Sequence, residues 1–74
     1  MNRAALWAHL VQAEKAVEQG ERHLARQRRL IASLERDGHD AKAAYALLAT
    51  FENSQALHVF DRDRLRREWA QASP

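Results

Sequence analysis

Cysteine is absent from this chain, proline occurs once, at Pro74, glycine occurs twice, and aromatic residues make up only 7%. Without cysteine there is neither a disulfide framework nor a thiolate metal site. With the lone proline at Pro74, nothing between Asn2 and Asp37 interrupts a helix except Gly20. No stretch approaches the roughly 18 consecutive apolar residues of a membrane span. The opening residues Met1 to His9 also lack the unbroken apolar run of a signal peptide, so a cytoplasmic protein without membrane contact is the expectation. A surplus of one charge is missing as well, since twelve Lys and Arg stand against ten Asp and Glu. The arrangement of charge therefore matters more than its sum. There is no glycine-rich phosphate loop and no nucleophile elbow, and Ser33 and Ser54 have no base and orienting acid in a recognisable pattern. Neither an enzyme nor a cofactor is expected.

What is present is periodicity. Leu10, Val17, Leu24 and Ile31 recur every seven residues with Leu6, Ala13 and Leu34 between them, which predicts one long amphipathic helix over about residues 2–37. Asp37-Gly38-His39-Asp40 then reads as a turn: Gly38 can take the left-handed conformation that ends helices, and Asp40 can offer its carboxylate to the free N–H of Ala43 or its neighbour. A second helix over about 41–70 carries Ala44, Leu48, Phe51, Gln55, His58, Leu65 and Trp69 at steps of three and four. The fold class is thus all-α, a single helical-hairpin domain over 1–74.

Folding the chain back at Gly38 pairs Ile31 with Leu48, Gln27 with Phe51, Leu24 with Gln55, Gly20 with His58, Ala13 with Leu65 and Leu10 with Trp69. The expected seam is Leu6, Leu10, Val17, Leu24, Ile31, Leu34, Leu48, Phe51 and Leu65. Trp7, Val11 and Leu30 on the first helix fall off this seam, as do Tyr45, Leu47, Leu57, Val59 and Phe60 on the second. A core of this size seldom contributes more than about 3–5 kcal/mol net. Antiparallel association of two hairpins into a four-helix bundle would cover the surplus apolar surface, with Leu30, Leu47, Leu57 and Phe60 at the second interface. A homo-oligomer, a dimer at least, is expected.

Four groups of residues invite a sharper chemistry. Arg22, Arg26, Arg29 and Arg36 share the face opposite the seam and, broadened by Arg28, could follow a phosphate backbone or meet an acidic partner. No aromatic residue lies among them to stack on bases, and Glu18 can pair with Arg22 along the helix. Arg62, Arg64, Arg66 and Arg67 alternate with Asp61, Asp63 and Glu68, a pattern that suits an ion network with Glu14 and Glu18 rather than a binding patch. His23 and His58, near Gln55 and Glu21, suggest a metal site, but the residue three before His58 is Gln55, where bundle sites use Glu. No metal is expected, and Gln27, Gln55 and His58 read as polar core residues that set register. Trp7 and Trp69 are expected to meet at the open end, and the first helix is too evenly charged to lie in a membrane surface.

Ala25-Arg26-Gln27-Arg28-Arg29-Leu30-Ile31, then Leu34 to Asp40, Leu47 to Glu52 and His58 to Arg62, together resemble short helical-hairpin proteins of proteobacteria, a group without an established activity. The likeness covers residues 21–68 and implies a bacterial intracellular hairpin while adding no site. In shape alone the expected dimer is also similar to the plasmid-encoded RNA-binding bundle that regulates copy number, an analogy that carries no function. The expectation is a small self-associating interaction module with a regulatory use and an unidentified protein partner. The alternative is a nucleic-acid-binding bundle using the arginine stripe.

Overall fold

The computed structural model describes residues 2–72, and over them the chain forms two helices, α1 over Arg3–Arg36 and α2 over Lys42–Gln71. Asn2 starts α1: its side-chain oxygen accepts from the Ala5 N–H at 2.7 Å, satisfying one of the donors a helix start leaves free. The helix then runs unbroken through Gly20. It ends on Gly38, whose φ of +74° is a left-handed conformation open to glycine at little cost. The His39 N–H donates to the Leu34 carbonyl at 2.8 Å and the Gly38 N–H to the Glu35 carbonyl at 3.1 Å, the paired closure of a Schellman motif. Asp40 then accepts from the N–H of Lys42, the neighbour of Ala43, at 2.9 Å. The second helix, expected from about Ala41, starts at Lys42 with the buried Ala41 as its N-cap, whose carbonyl accepts from the Tyr45 N–H at 2.9 Å.

The hairpin measures 59 × 14 × 14 Å. Its core is supplied mainly by α1, where Leu6, Leu10, Ala13, Val17, Leu24 and Ile31 are buried, against Leu65 on α2. Leu34, Leu48 and Phe51, expected in the seam, are only half-buried, since two helices meet along one line and leave the flanks of that line wet. The register also differs from the expected one. Gln55, paired with Leu24 by the sequence, reaches Gly20 and Val17, and Phe51, paired with Gln27, has the His23 ring at 5.9 Å between centroids. The cause is chemical: the Gln55 amide finds a backbone carbonyl at Val17 and an empty space at Gly20, and the helices settle where both are used. At the open end Trp7 and Trp69 do meet, with ring centroids 5.0 Å apart and tilted by 48°, and the Arg3 guanidinium lies 4.2 Å from the Trp69 ring centre.

Candidate interaction face

Two buried glutamines fix how the helices face each other. The Gln27 amide donates to the Ala44 carbonyl at 2.9 Å, and the Gln55 amide donates to the Val17 carbonyl at 2.9 Å and to Glu21 Oε1 at 3.2 Å. Each helix thus sends one amide to the other's backbone. Buried N–H donors paired in this way favour one register, because a slip strands them without partners. The Gln55 Oε1 has no hydrogen-bond partner and occupies the space a side chain at position 20 would take.

With the register set, the two long edges of the hairpin differ sharply. Glu14, Glu21, Arg28 and Glu35 recur every seven residues along one edge of α1, and Tyr45, Glu52 and Arg66 keep the same repeat on α2. They meet across the hairpin: Arg66 makes a two-pronged bond to Glu14 at 2.8 and 2.9 Å, Arg28 lies 3.7 Å from Glu52, and the Tyr45 hydroxyl donates to Glu35 at 3.0 Å. The bond from Arg66 holds the Glu14 carboxyl below its ordinary range, and the Glu35 carboxylate raises the Tyr45 phenol.

The opposite edge carries almost no charge. On α1 it consists of His9, Ala16, His23 and Leu30, again seven apart, flanked by Ala5, Gln12, Gln19 and Arg26. On α2 the matching residues are Ala43, Leu47, Thr50, Ser54 and Leu57, and between Lys42 and Asp61 the only charged residue of that helix is Glu52, which belongs to the other edge; nearer the open end the same rows carry Asp61, Arg64 and Glu68. An open groove of about 240 Å³ runs between the two rows, with Ala16, Gly20 and His23 on one wall and Phe51, Ser54 and His58 on the other. Leu30 and Leu47 sit at one level across it, exposed by 47% and 45%, and Leu57 is 71% exposed. Phe60, 66% exposed, lies on the outer ridge of α2. Leu30 and Leu47 thus lie on this edge, Leu57 lies at its margin, and Phe60 follows Leu57 by three residues onto the outer side of α2.

The arginines expected to form a stripe are all exposed along the outside of α1. Arg22 pairs with Glu18 at 2.9 Å and Arg36 approaches Asp37 at 3.9 Å, whereas Arg26 and Arg29 join no ion pair among the described residues. Arg28 leaves the stripe for Glu52. In the second basic group Arg64 bonds Asp61 at 2.6 Å and Glu68 at 3.0 Å, and its pKa is raised by Asp61 first and Glu68 second. Arg62 bonds Asp63, so Arg62, Arg64 and Arg66 form ion pairs as expected, whereas Arg67 joins none among the described residues and Glu18 serves Arg22 instead. His23 and His58 do line the same groove, with Gln55 between them. Among the described residues no three His, Cys, Asp or Glu side chains gather to hold a metal ion, and Glu21 is engaged by the Gln55 amide.

Reading the sequence for apolar residues alone misses the uncharged edge, since most of its members are Ala, Gln, Ser, Thr and His. The signal available was negative: a second seven-residue row from which every Asp, Glu, Lys and Arg is missing, in a chain that is 30% charged. No described helix is long and apolar enough to cross a membrane. No family model, curated protein or solved structure matches the chain.

Proposed function

We propose that this protein is a small self-associating interaction module without catalytic activity, two hairpins combining into a four-helix bundle whose arginine-bearing outer surface meets an acidic protein partner in a regulatory role. The observation that carries this reading is the exposure of Leu30 and Leu47 on one edge, with Leu57 at its margin, of a hairpin whose own core is narrow. Full burial of a leucine stabilises by about 1.5–3 kcal/mol, comparable with everything such a small core supplies by itself. Association is the route by which this surface leaves water. Arg26 and Arg29, exposed on α1 and engaged by no carboxylate among the described residues, favour an anionic partner for the outer surface.

Sedimentation equilibrium at micromolar concentration tests the reading. The expected result is a dimer mass with a Tm that rises with protein concentration, because association stabilises by mass action. Leu47→Glu should give a helical monomer, as its side chain is half in water already and the hairpin core is untouched. A wild-type monomer at every concentration overturns the proposal.

A further inference from the structure

Resting on the self-association proposed above, we infer that the second copy docks on the uncharged edge with both turns at the same end, so that α1 of each copy runs along α2 of the other. In a two-fold assembly every residue near the axis meets its own copy, and a charge there meets its like. A surface that pairs with itself is therefore best left uncharged, which is the property that separates this edge from the one carrying Glu14, Arg28 and Glu52. Each helix of a four-helix bundle touches two neighbours and needs two adjacent seams. The buried row of α1 is the first, and His9, Ala16, His23 and Leu30 form the second. The uncharged part of the edge spans His9 to Leu30 on α1 and Ala43 to Leu57 on α2, and the α2 rows turn charged beyond it at Asp61, Arg64 and Glu68.

Levels along the edge choose the orientation. Stepping down the two rows from the turn brings Leu34 level with Ala43, Leu30 with Leu47, His23 with Ser54, Gln19 with Leu57 and His9 with Glu68. With the turns together, Leu30 of one copy meets Leu47 of the other and the four leucines form one cluster. Leu57 comes level with Gln19 of the second copy, at the mouth of the groove that Ala16 and His23 line. Asp61 and Glu68 remain at the open end, opposite neutral or basic side chains. With the turns at opposite ends, the four leucines would be split between the two ends of the bundle, and Leu47 would press on the end that carries the Asp61, Arg64 and Glu68 ion pairs, taking those charges out of water.

The chain has no cysteine, so a single His39→Cys or Gln71→Cys variant takes one spin label per copy at the turn or at the open end. Both sites are exposed, and circular dichroism checks that the helices persist. Pulsed dipolar spectroscopy on the full chain should give an interspin distance of about two helix diameters, roughly 20 Å, for both variants, and Leu47→Glu should abolish the coupling while Phe60→Ser leaves it. Distances approaching the 59 Å of the hairpin overturn the inference while the bundle stands. Coupling lost in Phe60→Ser but kept in Leu47→Glu also overturns it, in favour of the outer ridge of α2. Absence of coupling together with a monomer mass removes both this inference and the self-association beneath it.

Discussion

A Cβ at position 20 would collide with the Gln55 side-chain oxygen, so the helix-propensity gain of about 1 kcal/mol expected of Gly20→Ala is set against loss of the Gln55 bonds. Displacing that amide frees the Val17 carbonyl and strands a buried polar group, at a cost of about 1–3 kcal/mol. Gly20→Ala alone should therefore lower stability by about 1 kcal/mol in urea denaturation, despite its gain in propensity. In the Gly20→Ala, Gln55→Ala double variant the collision is gone, and the loss should be smaller than the sum of the two singles. Strict additivity would mean the two residues do not share one space. The sequence pairs Gly20 with His58, and the structure puts Gln55 there instead, one turn away on the same face. Only the position of the Val17 carbonyl separates them.

At the scale of the element, both helices and their turn could be read from the sequence. The seven-residue repeat of Leu10, Val17, Leu24 and Ile31, the left-handed Gly38 and the carboxylate of Asp40 are local signals, and each appears in the structure in the expected role. The contribution of α2 to the core was less legible, as Leu48 and Phe51 fit the period yet remain half wet. What joins the helices along the charged edge makes a prediction about acid. Glu14 is held below its ordinary value of 4.5 chiefly by its bond from Arg66. A carboxyl whose pKa is lower in the folded state contributes stability above its unfolded pKa, and that contribution disappears as pH falls through the folded value. Wild type should exceed Glu14→Gln in Tm at neutral pH, and the two curves should converge as pH drops from about 5 to 3. A gap that persists in acid would assign the difference to packing rather than to the ion pair.

On the scale of the whole molecule, the hairpin sorts its surface into a charged edge, an uncharged edge and an arginine-bearing outside. With Arg22 and Arg36 beside carboxylates, Arg26 and Arg29 are the members of the stripe left to meet phosphates. Two such contacts per hairpin, about four per bundle, predict weak binding to mixed-sequence RNA or DNA, with affinity falling by about three to four powers of ten for a tenfold rise in salt. Gel retardation should appear only at low salt and vanish in Arg26→Glu, Arg29→Glu. Retardation that survives physiological salt would make nucleic acid, rather than an acidic protein, the partner of this surface.

Local chemistry in the sequence determined that there are two helices, where the chain turns, and which face of α1 is buried, because periodicity, capping and backbone preference act within a few residues. The tertiary structure decided the register, since the glutamine amides must reach carbonyls that lie 38 and 17 residues away along the chain. It also decided which exposed leucines of different helices share a side: Leu30 and Leu47 come to the same edge only once the helices are rotated against each other. That rotation comes from packing across the hairpin, a long-range interaction that no repeat within one helix encodes.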